Sequence, residues 1–107
     1  MKKNLNEPSL YILLSLIKKP LNGYAITREV MRITDGRLEI KTGTMYPTLN
    51  SLSKQGYMEL LDIENPERNK KTYQITDKGR KAIEDEMNIL ERMLFEIKTE
   101  FKGGTEL

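Results

Sequence analysis

The spacing of apolar positions changes repeatedly along the chain, and each change predicts an element. From Ser9 to Lys19 the apolar residues recur at helical spacing, with Leu10, Leu13, Leu14 and Ile17 on one face. Pro8 suits the first turn after Asn6 or Glu7, and Pro20 ends the run. Ile12 and Leu16 project almost opposite that face, so this helix needs cover on two sides, from a second subunit or from the chain's own tail folding back. A second helix is predicted from about Gly23 to Thr34, capped by Asn22, carrying Tyr24, Ile26, Val30 and Ile33, and stopped by Gly36. Leu38-Glu39-Ile40 alternates long enough for a short strand. A third helix runs from a Thr42 cap to Gly56, with Met45, Leu49 and Leu52 in one narrow stripe. Tyr57 to Glu64 and Lys70 to Ile75 read as two strands joined by a turn over Asn65-Pro66-Glu67-Arg68-Asn69. Thr76 then caps a final helix. Its apolar residues Ile83, Met87, Leu90, Leu94, Ile97 and Phe101 are spaced 4, 3, 4, 3 and 4, which is a heptad seam. From Asp77 to Phe101 this helix would extend about 37 Å, longer than a small body can cover, so its seam calls for a partner. Residues 103–107 are expected to fray.

With 37% apolar and 32% charged residues among 107, the composition is that of one soluble, folded domain. The 18 basic and 16 acidic residues nearly balance overall but not along the chain. Residues 1–60 hold nine Lys or Arg against five acids, residues 61–80 five against four, and residues 81–107 four against seven. The basic body suits a polyanion and the acidic end suits solvent or protein. No run approaches a membrane span and the first residues open no secretory signal, so a cytoplasmic location without a membrane partner is expected. The absence of Cys and His removes disulfides, the usual metal ligands and the commonest general base. No catalytic site, metal or cofactor is therefore expected, and Glu84, Asp85, Glu86 and Glu91 read as the solvated side of the last helix.

The third helix carries the most specific chemistry. Opposite its apolar stripe stand Gly43, Pro47, Asn50, Ser51 and Lys54, without the Glu and Lys pairs of an ordinary solvated face. Small hydroxyl and amide groups there allow close approach to a nucleic-acid groove while keeping hydrogen-bonding capacity. Asn50 can read an adenine edge, Ser51 a base or a phosphate, and Lys54 a phosphate or a guanine. Lys41, Thr42 and Thr44 surround a helix start whose free N–H groups favour a phosphate. Tyr46 sits at the flank of the wheel, and Tyr24 begins the second helix; either can pack in the core or touch DNA. Pro47 costs the helix one internal bond, to Gly43.

The order helix, helix, short strand, helix, hairpin, long helix is that of a winged helix-turn-helix followed by a long C-terminal dimerisation helix, a mainly α fold with a small β-hairpin. Leu21-Asn22-Gly23-Tyr24, Gly43-Thr44-Met45-Tyr46-Pro47-Thr48-Leu49, the Leu52 to Tyr57 close, Lys70-Lys71-Thr72-Tyr73 and Thr76-Asp77-Lys78-Gly79 together resemble the PadR family of bacterial transcription regulators, of the short type with one final helix. That resemblance implies a homodimeric repressor binding a double-stranded, near-palindromic operator. The expected division is a DNA-binding domain over residues 1–76, a dimerisation helix over 77–102 and a tail over 103–107. Arg68, Lys70 and Lys71 at the wing would contact phosphates. Ile12, Leu16, Ile83, Met87, Leu90, Leu94, Ile97 and Phe101 are the expected dimer interface. Ile12, Leu16, Met93 and Phe95 are the candidate site for an apolar or aromatic effector at the dimer centre. The competing reading is a winged-helix adaptor that binds protein through the last helix and no DNA.

Overall fold

The computed structural model describes residues 5–61 and 71–105. Helix α1 spans Glu7–Ser15, with Pro8 in its first turn and Asn6 accepting the Ser9 N–H at 2.9 Å. It ends four residues before the expected Lys19, because its last turn tightens: Leu16 N–H bonds to the Leu13 carbonyl and Ile17 N–H to that of Leu14. Strand β1 follows as Leu21–Asn22, and α2 as Gly23–Ile33, capped by Asn22 through the Ala25 N–H at 2.9 Å. The end of α2 is a Schellman closure in which Gly36 N–H reaches the Met31 carbonyl at 2.8 Å and Asp35 as well as Gly36 takes a positive φ.

Helix α3 spans Thr42–Lys54. Its N-cap is Lys41, with no side-chain cap bond, so Thr42 is the first helical residue rather than the expected cap. The C-terminal close follows expectation: Gly56 is left-handed and Tyr57 N–H bonds to the Leu52 carbonyl at 3.0 Å. Strands β2 (Met58–Leu61) and β3 (Thr72–Ile75) form the hairpin, and β1 adds on the other edge of β3, giving an antiparallel sheet in the order β1-β3-β2. Leu21 faces Tyr73 and Asn22 faces Thr72 across the ladder. Leu38-Glu39-Ile40, expected as the short strand, is irregular. Its alternation serves packing: Ile40 is buried and the Leu38 N–H is satisfied by the Thr34 hydroxyl at 3.1 Å.

Helix α4 runs Asp77–Thr105, past the expected boundary at 102. Thr76 joins three parts: its hydroxyl accepts the Gly79 N–H at 3.0 Å, donates to the Gly56 carbonyl at 2.6 Å, and its N–H meets the Tyr57 carbonyl at 3.1 Å. The start of α4 is thereby tied to the end of α3 and the root of β2. The core gathers Ile12, Leu13 and Leu16 from α1, Ile26 and Val30 from α2, Met45, Leu49 and Leu52 from α3, and Met58, Tyr73 and Ile83.

Helix α1 is central, packed by α2, α3 and α4, so both of its apolar faces are covered within one chain. Ile12 (0% exposed) and Leu16 (2%) are therefore core residues and not the expected subunit interface, and Ile83 at 7% belongs to the same core. Beyond Ile89 the helix leaves the body, and every residue from Leu90 to Gly103 is exposed. The molecule measures 66 × 27 × 24 Å with a radius of gyration of 16.7 Å. A compact chain of this length would have about 13 Å.

Candidate nucleic-acid interface

The three buried residues of α3 anchor it on the core, which turns its remaining face outward. Gly43, Pro47, Asn50, Ser51 and Lys54 are exposed, as the wheel predicts, and Lys41, Thr42, Thr44 and Tyr46 are exposed with them. Asn50, Thr44 and Lys54 make no side-chain hydrogen bond or ion pair among the described residues, leaving their donors and acceptors available. Ser51 is partly engaged, its hydroxyl accepting from the Gln55 amide at 3.0 Å. Lys41 forms an exposed ion pair with Glu39 at 3.3 Å, too solvated to restrain it strongly. Thr44 N–H and Met45 N–H both turn back to the Lys41 carbonyl, while the earlier donors of the turn have no carbonyl of their own to reach.

Tyr24 and Tyr46 both lie at the surface, 73% and 54% exposed, so neither is a core residue. Tyr24 carries the Arg28 guanidinium over its ring at 5.8 Å. Tyr46 reaches from α3 to the start of α2, where its hydroxyl would lie 3.7 Å from a Cβ at Gly23. A concavity of about 430 Å³ results, lined by Asn22, Gly23, Tyr24, Tyr46, Asn50, Lys71 and Tyr73. Residues from α2, α3 and the wing root that are far apart in sequence meet on one surface there. Tyr73 is its floor: burial, with Tyr46 beside it, pushes its phenol above the ordinary value, so it stays protonated and neutral. Lys71 stands exposed immediately before β3. Arg68 and Lys70 lie outside the described residues. Asn22 and Tyr73 line the concavity without having been expected there; Asn22 was legible only as a helix cap.

The residues expected to hold an effector do not come together. Ile12 and Leu16 are interior, and Met93 and Phe95, two positions apart on α4, point about 160° away from each other. The exposed apolar side of α4 is instead a continuous stripe of Met87, Leu90, Met93, Leu94, Ile97 and Phe101, each between 47% and 73% exposed. Among the described residues no group of His, Cys, Asp or Glu could hold a metal, and no helix is long and apolar enough to cross a membrane.

Residues 12–85 match the Transcriptional regulator PadR-like family. A transcriptional regulator from Clostridium thermocellum is 29% identical with a TM-score of 0.74, over 85% of this chain and 89% of that one. PadR from Bacillus subtilis, solved in complex with operator DNA, is 27% identical with a TM-score of 0.69; the match covers 79% of this chain but only 48% of PadR. F93 from STIV, a winged-helix DNA-binding protein, shares the fold at 20% identity and a TM-score of 0.69, over 85% of this chain and 95% of that one. No curated protein sequence matches the chain.

Proposed function

The chain belongs to the PadR-like family of transcriptional regulators, and from that premise we propose that it is a cytoplasmic homodimeric repressor that occupies a near-palindromic operator. Its family consists of regulators, not enzymes. One observation supports the DNA-binding face above all: Tyr24, Tyr46, Asn50 and Lys71 converge on a single concave surface flanked by the uncharged outer side of α3. In this reading α3 enters the major groove, where Asn50 and Thr44 meet base edges, and Lys54 with Lys71 meets the sugar-phosphate backbone. The solution of B. subtilis PadR with operator DNA supports the same use of the shared fold here.

The dimer is supported by the apolar stripe of α4. Six large side chains about half exposed or more would not remain in water on a projecting helix, and a heptad seam is satisfied by a second helix of the same kind. Pairing through α4 about a two-fold axis would relate two copies of α3 by that axis, the symmetry that a dyad operator read in successive major grooves requires. Repression follows from occupancy of the promoter.

Selection of bound duplexes from a random pool tests this reading. A single dyad-symmetric sequence with half-sites about one helical turn apart is expected. A pool that stays unenriched after repeated rounds, with the protein present as a monomer, would refute it.

A further inference from the structure

A second concave surface lies on the other side of Tyr24 from the α3 face. It is a groove of about 480 Å³ between the turn after α1 and the outer side of α2, with Lys18, Lys19, Tyr24, Arg28, Glu29 and Arg32 along it. Four cations therefore face one carboxylate. Arg32 is committed to Glu29 by two hydrogen bonds, at 3.0 and 2.8 Å. Lys18 and Lys19 have no ion pair or hydrogen bond among the described residues, and Arg28 is held only against the Tyr24 ring. The groove thus carries three more positive charges than its one carboxylate offsets. The Glu29 carboxyl is held below its ordinary pKa first by the Arg32 hydrogen bond and then by the charges of Arg32, Lys18 and Lys19, so one carboxylate is shared among several cations. Arg80 adds a further cation nearby, its guanidinium donating to the Ile17 carbonyl at 3.3 Å, one residue before Lys18.

Placement gives this charge its use. Tyr24 lines both concavities, so the groove continues the surface that holds Tyr46, Asn50 and Lys71. The Lys18–Lys19 turn leads directly into β1, and β1 is laddered to β3 through Leu21 opposite Tyr73. The two lysines are thus positioned by the same sheet that carries Lys71. An open groove whose cations are all exposed is poorly built to enclose a small anion, which needs converging and partly buried donors. It suits a polyanion whose phosphates stay hydrated and whose binding gains come from released counterions.

We infer that the groove of Lys18, Lys19 and Arg28 receives DNA backbone phosphates outside the half-site read by α3, so that each subunit's footprint runs past Tyr24 onto flanking duplex. This rests on the DNA-binding reading above and extends it to a surface with no part in base readout.

The test uses the full chain and two duplexes: the sequence selected from a random pool, cut to its bare length, and the same sequence with eight further base pairs at each end. The wild type should bind the longer duplex at least fivefold more tightly at about 0.1 M salt, with a steeper salt dependence. The double variant Lys18→Gln, Lys19→Gln should lose that gain and shed about two to four units of salt slope on the long duplex. On the bare duplex it should bind within twofold of the wild type. Equal losses on both lengths, or no gain from the extension in the wild type, would overturn the inference while leaving the DNA-binding reading intact. So would an undiminished length dependence in the variant together with protection of the two lysines by inorganic phosphate, which would assign the groove to a free anion. Absence of any duplex bound by the wild type would sink the reading and the inference together.

Discussion

Gly79 sits where the first turn of α4 crosses the root of β2. A Cβ there would press into the Tyr57 carbonyl and lie 2.8 Å from the Ile75 Cγ1. Neither can yield cheaply, since one is backbone and the other is an inner carbon of a β-branched side chain. Gly79→Ala should therefore lower stability by about 2 to 3 kcal/mol, seen as a melting temperature reduced by about 10 °C or more. Gly103 faces open space on the same helix, so Gly103→Ala should leave stability unchanged or raise it by about 0.5 to 1 kcal/mol. Equal melting shifts in the two variants would show that the crossing is looser than its geometry. Asn50 belongs to the opposite class of residue, exposed and without a side-chain partner among the described residues. Asn50→Ala should cost about 1 to 3 kcal/mol on the selected operator, much less on random duplex, and under about 0.5 kcal/mol in unfolding. Equal losses on both DNAs would make Asn50 a phosphate ligand instead of a base reader.

Helix α4 is an element with two environments. Ile83 and Glu86 are buried against the body, where the Glu86 carboxylate accepts the Leu5 N–H at 3.3 Å, and from Leu90 onward the helix is bare. A projecting helix of this length gains little from packing on the body, and the proposed dimer would supply the missing contacts. If the seam pairs as proposed, Leu90→Asp with Leu94→Asp would place charges in it and should yield monomers that keep the body's thermal transition and bind operator weakly. Sedimentation showing an intact dimer would place the interface elsewhere. The exposed face of α3 depends on a different device. Leu49 and Leu52 fasten it to the core, and the left-handed Gly56 sends the chain directly into β2.

At the scale of the molecule, charge and shape act together. Residues 1–60 are basic, the acids of α4 gather at Glu84, Asp85 and Glu86 beside the body, and the molecule extends to 66 Å along its longest axis. Because the sequence has no His, no side chain has an ordinary pKa inside the physiological window, and Tyr73, displaced upward, moves further from it. Operator affinity at constant ionic strength should therefore change less than about twofold between pH 6 and 8, while falling steeply with salt. A titration of affinity centred near pH 7 would contradict this. Lys71→Ala should weaken binding to all sequences alike and reduce the salt slope by about one unit for each phosphate that Lys71 neutralises. A changed sequence preference at constant slope would instead give Lys71 a role in base readout.

Much of this protein is local, and the local part is what the sequence by itself determined. Asn6, Asn22 and Thr76 cap helices through side chains reaching three residues ahead, Gly56 turns left-handed because a Cβ would resist it, and the outward face of α3 follows from where Met45, Leu49 and Leu52 recur. Such features depend on neighbours within one or two turns, so the order of residues carries them. Only the tertiary structure decided what depends on distant partners. Leu21–Asn22 and not Leu38–Ile40 became the third strand, because β3 had one free edge and Leu21 could reach it. Ile12 and Leu16 became core because three helices of the same chain close around α1. Tyr24, Tyr46, Asn50 and Lys71 became one surface, and Lys18, Lys19 and Arg28 another, because the packing of α2 on α1 and the pairing of β1 with β3 bring together segments whose separation along the chain says nothing about their distance in space.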